Sequence, residues 1–153
     1  MRILITGVHG FVGARLMKDL NGAVAAPSLR GMTEEQVKKI VTESNADVII
    51  HTAAISDVGV CEKNPQGSYE ANVLLPLSLA KAADGKKLIC FSSDQVYRGC
   101  EGEGPYQEDD AKPANIYGEV SPVYRQRAAG KRGAVRTQFV DGLQQSKKIW
   151  CSV

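Results

Sequence analysis

The segment GVHGFVG sets Gly7, Gly10 and Gly13 three residues apart, directly after the apolar run RILIT (Arg2–Thr6). The run reads as a strand. Phe11–Leu20 reads as a helix, because Val12, Leu16 and Leu20 fall on one face at helical spacing. Three glycines between a strand and a helix answer three backbone demands: a tight turn, close approach of the main chain to a ligand, and close packing of helix on strand. The start of such a helix also offers unpaired N–H groups and a positive dipole end, which suit a pyrophosphate. A glycine triplet is weak evidence alone and strong evidence in this position.

The remaining pattern repeats the theme. Val24–Ala26 is a short apolar run stopped by Pro27. Thr33 and Gln36 have the spacing of a capping box, and Val37, Ile40 and Val41 continue a helix face. Asp47–His51 (DVIIH) and Lys87–Phe91 (KLICF) read as buried strands, with Tyr69–Ala83 as a helix between them, kinked or irregular near Pro76. Residues 98–116 read as loop, Tyr117 onward as a helix interrupted by Pro122, and Ala134–Val140 (AVRTQFV) as a last strand. Alternating strands and helices with continuously apolar strands predict an α/β fold: a Rossmann-type doubly wound parallel sheet flanked by helices. The expected boundaries are a cofactor-binding domain over 1–140 and a short basic tail over 141–153.

Composition narrows the function. The 153 residues carry 19 Lys and Arg against 17 Asp and Glu, a net charge of +2. That balance argues against a nucleic-acid binder, and the basic pairs Lys131-Arg132 and Lys147-Lys148 lack any aromatic platform. The charge is uneven: residues 111–153 hold eight basic and two acidic side chains, read as a solvated basic surface. Cys61, Cys90, Cys100 and Cys151 form no Cys-x-x-Cys pair, and only two histidines exist, so no metal site is expected. Cys90 reads as a buried small hydrophobe. No apolar run is long enough to span a membrane and no signal peptide is recognisable, so a cytoplasmic protein with reduced thiols is expected. The second strand ends without the acid that usually holds the adenosine ribose. Arg30 is the nearest charge after it; it suits a 2′-phosphate and leans the choice to NADP over NAD, the alternative being a solvated surface side chain.

Several segments together resemble the extended short-chain dehydrogenase/reductases, and within them the dTDP-4-dehydrorhamnose reductase group. TGVHGFVG (Thr6–Gly13) resembles the cofactor loop, and HTAA (His51–Ala54) the segment whose small residues let a cofactor lie close. Glu70–Val73 carries the family's helix Asn, and FSSDQVY (Phe91–Tyr97) the strand-end Ser. GPYQEDDAKPANIYG (Gly104–Gly118) resembles the loop leading to the catalytic Tyr and is the most specific of these signals. The resemblance implies cofactor contacts at Gly7, Gly10, Phe11, Val12, Gly13, Arg30, Gly31, Ala53, Ala54, Ile55 and Tyr117. It implies catalytic roles for Ser93, which would hydrogen-bond a substrate carbonyl, and Tyr117, which would protonate it. It implies NADP or NAD as cofactor, and reduction of a 4-keto nucleotide sugar.

Two departures stand out. The family motif is Tyr-x-x-x-Lys, yet Ser121 lies four residues after Tyr117. A serine cannot lower the phenol pKa by charge, and Arg125 and Arg127 lie beyond one-turn spacing. Family members also run about twice as long, so the C-terminal substrate domain is expected to be absent, leaving apolar surface that favours self-association or a partner protein. These departures predict weak or absent turnover. They keep open a non-catalytic NADP-binding module resembling the regulatory subunit of methionine adenosyltransferase, and a nucleotide-sugar epimerase or dehydratase. His9 is read as lying near phosphate, and His51 as packed beside the cofactor.

Overall fold

The computed structural model describes residues 1–97 and 111–121 and the backbone of 136–139. Five parallel strands form one sheet: β1 (Ile3–Thr6), β2 (Ala23–Ala25), β3 (Val48–His51), β4 (Lys87–Ser92) and β5 (Arg136–Phe139). Their order is β2-β1-β3-β4-β5. The chain leaves β1 toward β2 on one side and returns to β3 on the other. β1 therefore flanks the point where strand order reverses, and a crevice opens there beyond the carboxyl ends of the strands.

Alternation along the strands builds two apolar layers. Leu4, Ile49, Leu88 and Cys90 point to one face and pack against α2 (Glu34–Glu43) and α5 (Leu75–Ala83), which contribute Val37, Val41, Leu79, Ala82 and Ala83. Ile3, Ile5 and Ile50 point to the other face and meet Leu16, Met17 and Leu20 in and just after α1 (Phe11–Asp19). Burial on both sides is why these strands are apolar without interruption. Cys90 is fully buried, as expected, and burial pushes its thiol up to about 12. The capping box at Thr33 is formed in both directions: the Thr33 N–H donates to Gln36 Oε1 at 2.9 Å, and the Gln36 N–H to Thr33 Oγ1 at 3.3 Å.

The expected helix Tyr69–Ala83 is corrected by the structure. It divides into α4 (Pro65–Tyr69), a π-helical turn (Glu70–Leu74) and α5. Pro76 is the physical cause. It has no N–H to give to the carbonyl of residue 72, and its ring would crowd that carbonyl in a continuous α-helix. Widening the preceding turn lets the Leu75 N–H reach back to the Glu70 carbonyl and puts Pro76 in the first turn of α5, where no N–H is needed. The short helix α3 (Val58–Lys63) was not anticipated; Asp57 caps it by accepting from the Val60 N–H at 2.7 Å. The expected loop 98–116 ends earlier than read, because α6 (Ile116–Glu119) starts at Ile116. Residues 98–110, Pro122, Arg125, Arg127, Cys100, Cys151 and the tail 141–153 lie outside the described residues.

Leu79 is fully buried where α5 faces α2 and the sheet. Leu79→Ala is expected to destabilise the fold by about 2–5 kcal/mol, read from urea unfolding midpoints at constant slope.

Candidate active site

The site begins at a single carbonyl. Gly7 has φ +71, a conformation that side chains disfavour, and this turns its carbonyl toward the helix start. That oxygen accepts the Gly10 N–H at 3.0 Å and lies 3.3 Å from Thr52 Oγ1, which also donates to the Thr6 carbonyl at 2.7 Å. The backbone of Gly13 sits so close that a Cβ there would collide with the Gly7 carbonyl oxygen. A Cβ on Gly7 would meet the Ala53 nitrogen at 2.6 Å. The glycines thus press β1, the start of α1 and the segment after β3 into backbone contact. Gly10 caps α1 with no side chain, and the first turn of α1 holds no acid, so its positive end faces outward unneutralised.

The segment after β3 is held from below. Asn72, buried in the π-helical turn, accepts the Ile55 N–H and donates to the Ile55 carbonyl, both at 2.8 Å. One side chain therefore fixes both polar groups of Ile55, with Ala54 left exposed beside it.

The second half of the site forms where β4 ends. Ser93 caps the 3₁₀ turn Asp94–Val96 by accepting the Gln95 N–H at 3.2 Å, and Ser93 Oγ lies 3.0 Å from Asp94 Oδ1. α6 docks directly against this turn, because Gly118 has no Cβ to strike the Gln95 carbonyl. Asn115 caps α6 by accepting the Gly118 N–H at 2.8 Å, and its amide donates to Gln95 Oε1 at 2.9 Å. Glu62 of α3 accepts the Ile116 N–H at 2.8 Å. With α6 held on both sides, the Tyr117 phenol comes near enough to the Ser93 hydroxyl for hydrogen bonding from Ser93 to act on its titration. Burial pushes the phenol above its ordinary value; the Ser93 bond pulls it down, and Cys61 and Asp94 push it further up. A lowered phenol would need a nearby cation. Position 121 instead carries a buried serine whose hydroxyl lies 2.6 Å from that of Ser92.

The structure thus brings Gly7, Gly10, Gly13 and Ala53 into one cradle, with Ile55 fixed beside it, and brings Ser93 and Tyr117 together. Phe11 is 89% exposed and Val12 half-buried at the start of α1. Arg30 and Gly31 stand exposed on the turn after β2, with Gly31 at φ +74. Asn115, Gln95 and Glu62 were not foreseen as supports of the site. Asn115 was findable as an Asn three residues before a glycine at a helix start, whereas Glu62 acts across 54 residues and leaves no local pattern. His51 is buried as expected: its Nδ1 lies 2.7 Å from Thr6 Oγ1, and burial lowers its pKa to about 4. Among the described residues no cluster of side chains could hold a metal ion, and no helix is long and apolar enough to cross a membrane.

A doubly wound parallel sheet with a glycine cradle at its switch point and a Ser–Tyr pair at the end of β4 defines the class of the short-chain dehydrogenases/reductases. Residues 1–123 match the family described as RmlD substrate binding domain, and the chain belongs to that family. A dTDP-4-dehydrorhamnose reductase of Mycolicibacterium smegmatis is 35% identical, over 91% of this chain and 46% of its own. The methionine adenosyltransferase 2 subunit beta of Danio rerio is 30% identical, over 77% of this chain and 40% of its own. A crystal structure of dTDP-4-dehydrorhamnose reductase from Bacillus anthracis in complex with NADP superposes with a TM-score of 0.78 at 28% identity, covering 90% of this chain and 52% of that one. The chain spans about half the length of the relatives it matches.

The buried imidazole makes stability depend on pH. His51 takes a proton at about 4 when folded, against about 6.5 when unfolded. The unfolded chain therefore binds the proton first as pH falls. The contribution of neutral His51 is complete above about pH 6.5 and is lost progressively toward pH 4, by about 3 kcal/mol in all. Urea unfolding between pH 7 and pH 4 should show this decline, with a shallower slope in His51→Gln.

Proposed function

We propose that residues 1–140 are the cofactor-binding domain of an NAD(P)H-dependent reductase of the dTDP-4-dehydrorhamnose reductase type, acting on a 4-keto nucleotide sugar. The observation that carries this reading is the cradle of Gly7, Gly10, Gly13 and Ala53 opening at the same strand ends as the neighbouring Ser93 and Tyr117.

The residues present fit a dinucleotide. Glycine at 7 and 13 lets the start of α1 lie directly against β1 and the segment after β3, and the uncapped, acid-free start of α1 suits a pyrophosphate. In this reading Gly10, Phe11, Val12 and Gly13 hold the phosphates through the helix start. Ala53, Ala54 and Ile55 form the small, fixed floor, and Tyr117 closes the far end. Arg30, beside Gly31, takes a 2′-phosphate, so NADP is preferred. The bound nicotinamide supplies the hydride. The chain's own part is to hold a proton on the Tyr117 phenol and a hydroxyl on Ser93, both aimed at the oxygen that gains charge. A raised phenol pKa keeps the proton in place at neutral pH and weakens any phenolate role. With no charge at Ser121, transition-state stabilisation should fall by roughly 3–4 kcal/mol, a loss of about 10²–10³-fold in rate. A cytoplasmic location belongs to the same proposal and is supported by the free, buried thiols of Cys61 and Cys90.

A second reading is a non-catalytic NADP-binding module. It is favoured by the likeness to the methionine adenosyltransferase subunit and by the uncharged, buried Ser121.

Fluorescence titration with NADPH and NADH separates the possibilities. Micromolar NADPH binding is expected, with Arg30→Ala weakening NADPH at least tenfold and leaving NADH unchanged. Equal weakening of both would sink the 2′-phosphate role. Gly13→Val should abolish binding of either, because its side chain would enter the Gly7 carbonyl. Oxidation of NADPH by a 4-keto nucleotide sugar should be slow and lost in Tyr117→Phe. Turnover in the ordinary enzymatic range would overturn the argument from Ser121. Tight cofactor binding without any turnover would favour the second reading.

A further inference from the structure

Above the apolar layer of Leu4, Ile49, Leu88 and Cys90, the same face of the sheet turns polar. Thr6, His51 and Ser92 continue the inward-facing positions of β1, β3 and β4, and strand register sets Thr6 beside His51 and His51 beside Cys90. All three side chains are buried. Thr6 and Ser92 have partners, at His51 Nδ1 and Ser121 Oγ respectively. His51 Nε2 has none: it is buried and makes no hydrogen bond to the protein. An orphaned polar atom in such a place costs about 1–3 kcal/mol unless something completes it.

The chemistry fixes which way that nitrogen acts. The buried Thr6 hydroxyl has a proton to donate and, among the described residues, only Nδ1 to receive it. Nδ1 is then the acceptor, so the ring proton sits on Nε2 and Nε2 is a donor. His51 lines a partly open pocket of about 30 Å³ together with Ala53, Ala54, Asn72, Ser92, Tyr117 and Ser121. That volume has room for water. The polar atoms of Asn72 are spent on Ile55. The Ser92–Ser121 pair keeps unused lone pairs, because one short bond between two hydroxyls leaves acceptor capacity on both.

We propose that this pocket is a binding site for one water, which accepts a hydrogen bond from His51 Nε2 and donates to the Ser92–Ser121 hydroxyl pair. The water completes a row, Thr6–His51–water–Ser92–Ser121, that ties β1, β3 and β4 to the residue two positions past the end of α6. Every member is neutral, consistent with an imidazole that stays uncharged down to about pH 4. The row therefore fixes position without supplying positive charge beside Tyr117. It stands on the orphaned nitrogen and the pocket, whether or not the chain is a reductase.

Two-bond ¹H–¹⁵N correlation on the labelled 153-residue chain at pH 7 reads the tautomer, and water cross-relaxation reads the ligand. The expected result is His51 protonated at Nε2, with a long-lived water contact at that proton. Protonation at Nδ1, or a ring without a bound water, overturns the proposal. In Ser92→Ala/Ser121→Ala the water loses its second anchor, and solvent exchange of the Nε2 proton should accelerate at least tenfold. Unchanged exchange in that folded variant would show that the serines do not hold the water, and would equally overturn the proposal.

Discussion

The carbonyl oxygen of Gly7 is the point about which this site is organised. It receives the Gly10 N–H, lies within reach of the Thr52 hydroxyl, and abuts the backbone of Gly13. Three elements meet at one atom: the end of β1, the start of α1 and, from 45 residues away, the turn after β3. Backbone-to-backbone approach of this kind tolerates no side chain, which is why the requirement falls on glycine at both Gly7 and Gly13. Everything the cradle can bind follows from how closely α1 is drawn onto the sheet, since that distance sets where its free N–H groups point.

The other half of the site is held by polar side chains. Asn72 saturates both backbone groups of Ile55 and is placed to do so by the widened turn that Pro76 imposes. A four-residue helix such as α6 has little stability of its own. Its position comes from Asn115, Glu62, the close approach at Gly118 and the bond from Ser121 to Ser92. The Ser93–Tyr117 contact is thus a consequence of anchors on three other elements: α3, the 3₁₀ turn and β4.

Much of this was legible in the sequence because its signals are local or periodic. The glycine spacing, the Thr33–Gln36 capping box and the apolar runs of β1, β3 and β4 each declare themselves within a few residues. The division of Tyr69–Ala83 was half legible: Pro76 announced an irregularity, but the one-residue widening that absorbs it depends on what Asn72 must reach. Helix α3 was missed because VGVCEK has no apolar periodicity beyond one turn and its cap, Asp57, reads equally well as a loop residue. Glu62 and the Ser92–Ser121 pair were invisible for a different reason. Each joins groups separated by dozens of residues, and no spacing rule links them.

Position 121 shows how sequence and structure divide the argument. Read along the chain, Ser121 is a missing charge. In the fold it is a buried hydroxyl bonded to Ser92, near the buried pair of Thr6 and His51. A lysine at that point would bring an ammonium into a neighbourhood of neutral, buried groups, and its desolvation would have to be met by partners that the described residues do not offer there. The serine is therefore matched to its surroundings. A raised Tyr117 phenol, a neutral His51 and a hydroxyl pair form one consistent uncharged environment, suited to holding a proton in place more than to generating a phenolate. The glycine cradle carries no such compromise, since its demands fall on backbone geometry alone. In the proposed reading, cofactor binding and proton transfer rest on separate physical supports, so one can persist where the other is weakened.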